Sequence, residues 1–448
     1  MNQPPVLQSL LRNTETPVPM RRGSHIVLTL FLSGNRISTV DIGSSRTVTA
    51  GRILTKKNVN ESLGKMSSVV TDHLTAHTVA GVRAVEAAMG VRVARSVNLA
   101  RDVLLMRDML EDHILRMVLD WPVLGAEPAD PGAARGVKGI LGELPAMLFP
   151  DGDGLSVGGG TVGTSLTSAM VDRLHDIRSH LTRTVMGREA PPPWRRTHAK
   201  ASSNAEAGST DHPSAGAMIE PPLAADDPEA AMLDWCDQGD TSTSRLFARL
   251  MSKGMAAMGA STNELMPDLA EYQMEMLLSQ DQQGRFRQHP HWKGRVFETG
   301  ALARMASHPA IQALRKRYRS GLLSRFAAHL VEAFHLIDQM EITVEKLVDT
   351  PLIAPSVVSP GPQRPSTGLG NAECVGGRIY HWARLTGDQV VDYRILPPTA
   401  WNFHPEGPLV TGMTNVRVPD EDHAMAFCRF MVSALDPSVA WEARMSAS

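Results

Sequence analysis

Cysteine is scarce. The chain has 448 residues and three cysteines, Cys236, Cys374 and Cys428, far apart and with no C-x-x-C spacing. That excludes a zinc site built on paired thiolates and a disulfide framework. It also falls short of the four thiolates an iron–sulfur cluster ordinarily takes, and it fits a reducing compartment. A dominant charge is missing as well. The 45 Lys and Arg against 47 Asp and Glu leave a net charge of −2, so there is no electrostatic footprint for nucleic acid. No apolar stretch approaches the roughly 20 residues of a membrane helix. The apolar run that follows Met20-Arg21-Arg22 is short and closes on Ser33-Gly34-Asn35. It reads as a strand and turn and not as the core of a signal peptide. The expectation is a cytoplasmic protein without membrane insertion.

What is present is a hydrophobic content of 42%, enough for one large or two medium domains. Residues 1–24 are polar and Pro-bearing, and read as loose. Residues 25–55 read as strands, with a hairpin turn at Ser33-Gly34-Asn35. From Asn60 to Met89 a stripe of Met66, Val70, His73, His77, Gly81 and Ala84 recurs at helical spacing, and Gly90 is the stop. A second helix is expected from Ser96 to Leu119, ended by Pro122. Residues 125–165 suggest one short helix among Gly and Pro, and residues 166–186 another helix. The Ala/Ser/Pro-rich stretch 188–235 has few large apolar residues and reads as a flexible insertion between two folded parts, 25–187 and 236–448. Helices are expected over 241–282, 298–319 and 321–348. A Pro/Ser/Gly linker follows over 351–371, then strands from Arg378 to Leu396, and a last helix from Asp420 to Leu435.

Several motifs fail on context. Gly158-x-Gly160-x-x-Gly163 matches a dinucleotide pattern but lacks the flanking strands and a placed acidic residue. Asp151-Gly152-Asp153-Gly154 resembles a calcium loop, yet Val162 stands at the bidentate Glu position. The run Arg315-Lys316-Arg317-Tyr318-Arg319 reads as a solvated helix end or as a docking patch for an acidic partner.

Other segments carry a resemblance. His77-Thr78-Val79-Ala80-Gly81-Val82-Arg83-Ala84-Val85-Glu86 follows a pattern like C-G-V-C-x-x-x-H-A-L-x-S-V-R-A-V-E, with Val70 and His73 at the two cysteine positions. Asp436-Pro437-Ser438-Val439-Ala440-Trp441-Glu442-Ala443-Arg444 follows D-P-C-x-x-C-x-x-H, with Ser438 and Trp441 at the thiolates and Arg444 at the histidine. Between them come Asp112-His113, Trp292-Lys293-Gly294, Glu298–Arg304, Ser324–Ala333 and Pro398-Thr399-Ala400-Trp401-Asn402. Glu373-Cys374-Val375-Gly376-Gly377 resembles E-x-x-R-G with Gly376 at the arginine position. In order, these resemble the nickel–iron hydrogenase large subunit without its metal ligands. The profile is that of the HupK/HoxV-type hydrogenase expression/formation proteins.

The resemblance implies an α+β, mainly α fold: a large-subunit-like helical bundle with peripheral strands. It implies a non-catalytic scaffold or chaperone in hydrogenase maturation. Such a protein would handle an iron–cyanide–carbonyl fragment transiently, or shield the immature large subunit or its HypC-type small chaperone. No nickel and no stably bound cofactor are expected. The sequence ends at Ser448, shortly after Arg444, so a removable tail is not expected. Two rivals stay open: a metal-free oxidoreductase subunit related to the large-subunit-like protein of respiratory complex I, and a structural subunit of a hydrogenase.

For the site, His73 and His77 share a helix face in this reading. They are either a weakened, transient metal site or a satisfied polar pair. Cys374 either holds an iron fragment as thiolate or is a small packing residue. Ser438, Trp441 and Arg444 are expected to plug and charge the old metal cavity, or else to be ordinary surface and packing residues.

Overall fold

The computed structural model describes residues 25–44, 50–163, 167–188, 227–351, 366–435 and 440–446. The expected loose N-terminus, most of the 188–235 insertion and Ser438 lie outside these residues. Strands β1 (His25–Ser33) and β2 (Arg36–Ser44) form the expected antiparallel hairpin. Gly34 makes the turn at a φ of 60°, a conformation glycine adopts without steric cost.

Helix α1 (Leu74–Met89) starts later than its periodicity suggested. A short helix, Val59–Gly64, and a 3-10 turn, Met66–Ser68, precede it. The chain then leaves helical geometry before His73, which caps α1 in a left-handed conformation (φ 51°, ψ 43°). Val70 and His73 are therefore not on the helix that carries His77. At the other end Gly90 stops α1 as expected, at a φ of 70°. Helix α2 (Arg95–Leu115) runs on through a wider π-turn, Arg116–Asp120, into Trp121–Leu124. Pro122 does not end it. It sits in the first turn of that last segment, where its missing N–H has no helical partner to lose.

Two helices, Pro131–Gly142 and Leu144–Leu148, occupy the region expected to hold one. Helix α3 (Thr167–Leu181) follows. The C-terminal end of the supposed insertion is folded: Trp235 lies in the helix Pro228–Gln238 and is 1% exposed. The helices expected over 241–282 are Ser242–Ser252 and Glu271–Gln280, separated by turns at Gly254 and Gly259, both at positive φ.

Helix α4 (Leu322–Val348) is the axis of the molecule. Every residue from Leu322 to Phe334 is buried, so this half of the helix is covered on all sides. It packs against α2 and α3. Strands β3 (Ser366–Cys374), β4 (Gly377–Thr386) and β5 (Gln389–Leu396) form an antiparallel meander, with Lys57–Asn58 paired beyond β5. The first half of β3 was expected to be linker because Gly368 and Gly370 read as punctuation. They serve a close approach instead. A Cβ at Gly370 would lie 2.1 Å from the Ala80 carbonyl oxygen, and one at Gly368 would lie 2.3 Å from that of Ala84. Only glycine lets β3 lie on α1.

Helix α5 (Glu421–Leu435) is the expected last helix. A strand not expected, β6 (Ala440–Met445), pairs parallel with β1. One hydrophobic core runs from Ile26 and Leu28 through Leu110 and Phe326 to Phe430, so both sequence halves share it. The architecture is α+β and mainly helical, a bundle around α4 with three sheets among the described residues.

Candidate functional site

The positions at which a metal-binding relative would carry thiolates have gone separate ways. Val70 is buried and lines a cavity of about 150 Å³ together with Ile26, Ile42, His77, Pro397 and Phe403. His73 turns to another partner. Its Nδ1 lies 2.9 Å from Asp112. Burial works against a charge here. The Cys374 sulfur and the Asp112 carboxylate outweigh it and hold the ring well above the ordinary histidine range. A protonated imidazole has no lone pair for a metal.

His77 is committed elsewhere. Its Nδ1 is 2.9 Å from His381 Nε2, and His381 Nδ1 is 2.8 Å from the Tyr393 hydroxyl. Complete burial pushes His381 down to about 3, so this ring is neutral and carries one proton. Donation along Tyr393, His381 and His77 in either direction satisfies all three groups, and in both His77 Nδ1 is taken up by His381. The two histidines were expected to share one helix face. They do not, because His73 lies outside the helix and the rings have different partners.

The β3–β4 turn brings in Cys374, Val375 and Gly376, all buried. The Cys374 thiol donates to the Gly377 carbonyl at 3.2 Å. Gly376 leaves no side chain where the relatives' pattern has arginine. Arg304 reaches the same turn and donates to the Val375 carbonyl at 2.8 Å. Its guanidinium also binds Glu332 (2.9 Å) and Glu373 (3.1 Å). Glu332 receives His113 Nε2 at 2.8 Å, and Glu373 receives Arg378 at 2.6 Å. Burial alone would raise the Glu332 carboxyl, but Arg304 and His113 hold it well below the usual carboxylate range. On α4, Arg325, His329 and Glu332 follow at helical spacing. Arg325 is clamped by Glu298 (2.7 and 2.9 Å) and the Gly259 carbonyl (2.8 Å). A third buried pair, Arg101 with Glu86, is completed by the amide of Gly158 at 2.9 Å from Glu86. The glycine-rich loop of the rejected dinucleotide pattern thus caps an internal carboxylate.

At the C-terminus, β6 alternates. Trp441, Ala443 and Met445 pack against the main core, whereas Glu442 and Arg444 face outward. Arg444 is exposed, and its Nε approaches Thr29 Oγ1 at 3.3 Å. It was expected to charge the old cavity. The register with β1, Thr29 opposite Arg444, puts it on the outer face instead. Cys236 and Cys428 are buried packing residues, and burial pushes each thiol up to about 12.

Val70, a protonated His73 and an outward Arg444 do not fit a bimetallic nickel–iron group. Among the described residues, no group of three or more His, Cys, Asp or Glu is placed to hold a metal ion. No helix among them is long and apolar enough to cross a membrane. The Arg304–Glu332–His113 network carried a sequence signal, charged residues inside otherwise apolar helices, but sequence reasoning gave those residues no role. The Asp112–His73 pair carried none, because a loop and a helix meet there.

The nickel-dependent hydrogenase family profile matches residues 256–441. The hydrogenase expression/formation protein HupK of Rhizobium leguminosarum bv. viciae is 34% identical over 159 residues, 34% of this chain and 39% of that protein. The hydrogenase expression/formation protein HoxV of Cupriavidus necator is 26% identical over 232 residues, 50% of this chain and 57% of that protein. The matches thus span well under two thirds of each relative's length. The Ni-Fe-Se hydrogenase of D. vulgaris Hildenborough superposes with a TM-score of 0.54 at 14% identity, covering 92% of this chain and 98% of that one. The enzyme of Desulfomicrobium baculatum superposes equally well, at 14% identity. This chain therefore has the hydrogenase large-subunit fold, and its curated homologues are HupK- and HoxV-type hydrogenase expression/formation proteins.

Proposed function

We propose that this chain is a non-catalytic accessory protein in the formation of a nickel–iron hydrogenase, one that binds the immature large subunit or its HypC-type small chaperone and shields it. One observation carries this reading. The large-subunit scaffold persists while its ligand positions hold Val70, His73, Ser438, Trp441 and Arg444. Such a chain has the shape of its client without a competing metal centre. The similarity to the hydrogenase expression/formation proteins HupK and HoxV supports the same reading.

A second reading is favoured by Cys374. It sits in the β3–β4 turn two residues before Gly376, which stands at the arginine position of the large-subunit pattern. A soft iron–cyanide–carbonyl fragment, as cargo, accepts a thiolate. The two readings separate in one experiment: infrared spectroscopy and metal analysis on protein isolated anaerobically from cells making hydrogenase. Cyanide and carbonyl bands with iron and without nickel, lost in Cys374→Ala, favour the cargo reading. No bands, with large-subunit precursor attached, favour shielding alone. Stable nickel in the purified chain overturns both. Isolation within a membrane respiratory complex, or with finished nickel-loaded enzyme only, favours the oxidoreductase-subunit or structural-subunit alternatives.

A further inference from the structure

A cavity of about 220 Å³ shares no wall residue with the one that Val70 and His77 line. One part of its wall is apolar. Leu269, Met274 and Trp401 are buried in a single hydrophobic cluster, with Met266 packed against it. Another part is ionic, made of Arg304, Glu373 and Arg378. We propose that this cavity binds a small organic monocarboxylate, with its apolar body against Leu269, Met274 and Trp401 and its carboxylate on Arg378. The proposal rests on the cavity alone and does not depend on the accessory function.

The hairpin sets the ionic wall, because Glu373 on β3 and Arg378 on β4 stand opposite each other in register. Every nitrogen of Arg304 is engaged, by Glu332, Glu373 and the Val375 carbonyl. Arg378 is held differently. Its Nε donates to Glu373 at 2.6 Å, and its Nη1 donates to Asp268 at 3.1 Å. The Asp268 side chain is 88% exposed, and an ion pair so open to water contributes little. A carboxylate from the surface thus already holds the place, and exchanging it costs little. One carboxylate replaces another, so the charge balance of the wall does not change. A guanidinium favours a carboxylate over an uncharged amide, because a charge-assisted hydrogen bond is the stronger one.

Size and wall chemistry bound the ligand. An engineered apolar cavity of roughly 150 Å³ takes up benzene. At about 220 Å³ this one has room for a ring of that size and a carboxylate. A second carboxylate on the ligand would press a charge against buried apolar side chains, which is costly. Small-molecule sites ordinarily combine apolar walls with a few polar groups that fix orientation, and Arg378 fills that role here. Met266, Asp268 and Leu269 come from one short loop ahead of the helix Glu271–Gln280. The carboxylate to be displaced and part of the apolar wall therefore belong to the same loop.

The test titrates benzoate into the whole chain by isothermal titration calorimetry, with benzamide as the uncharged match. The expected result is single-site binding of benzoate with a dissociation constant of about 1 mM or tighter, and benzamide at least about tenfold weaker. Arg378→Gln and the cavity-filling Ala303→Leu, checked for an unchanged melting temperature, are each expected to weaken benzoate at least about tenfold. Asp268→Asn removes the competing carboxylate and is expected to tighten benzoate about threefold or more. No benzoate binding at about ten times the expected dissociation constant would overturn the proposal. So would equal affinity for benzamide, parent affinity in a folded Arg378→Gln or Ala303→Leu, or an Asp268→Asn chain that binds no tighter than the parent. If the two wall variants do not fold, the exposed Asp268→Asn decides.

Discussion

Two regions of this molecule are built in opposite ways. The ionic centre around α4 is intact and tightly bonded: Arg304, Glu332, His113, Glu373 and the Arg325–Glu298 pair. The former ligand positions have been released into unrelated surroundings. Val70 lines a cavity of mixed polarity, His73 pairs with Asp112, and Arg444 faces outward from an edge strand. Buried charges that hold helices and hairpins together cannot be removed one at a time, because a lone partner is left unpaired. Metal ligands that no longer meet a metal carry no such constraint.

The contrast is broken most severely at Glu332. Replacing it with Leu strands Arg304 in the interior and is expected to cost about 3–5 kcal/mol, read as a lowered midpoint in urea. Acid probes the same region without mutation. Glu332 is held below the usual carboxylate range, so its stabilisation is present above about 4.5 and is lost as pH falls toward the folded value. His381 adds to this. Its unfolded form takes up a proton below about 6.5, its folded form only near 3, so stability drops across that interval. His73 has the opposite sign. Its contribution is present below about 6.5 and fades as pH rises through its raised folded value. Urea midpoints measured across pH are expected to fall on the acid side in the parent, and to fall less steeply below 6.5 in His381→Phe. An equal acid slope in that variant would contradict the burial argument.

Gly370→Ala tests the α1–β3 approach that frames the Cys374 turn. A methyl 2.1 Å from a backbone oxygen forces the strand away, at about 1–3 kcal/mol, measured by thermal denaturation. At the quiet end, Arg444→Ala removes an exposed side chain and is expected to stay within about 0.5 kcal/mol. A large loss there would place Arg444 in the core economy of the fold and erase the contrast between the two regions.

How much of this was legible in the sequence depends on whether the signal was local. The β1–β2 hairpin, the stop at Gly90 and the last helix were readable because a glycine turn or a periodic stripe sits within the segment itself. The start of α1 was not. Met66, Val70 and His73 keep helical spacing, yet the chain breaks between them and re-enters helix at Leu74. β3 was hidden because its glycines are explained only by α1, far away in sequence. β6 was hidden because a parallel strand needs its partner at the other end of the chain. The ligand positions were legible as positions, through Val70, His73 and Arg444. What the side chains do there was not, because His73 depends on Asp112, which lies far from it in sequence.

The most direct test of an accessory role on a vacated scaffold is the affinity of this chain for a hydrogenase large subunit before and after nickel insertion, measured with both forms from the same cells. Preference for the nickel-free form, by tenfold or more, is the expected result. Equal affinity for both forms, or preference for the nickel-loaded one, would contradict it.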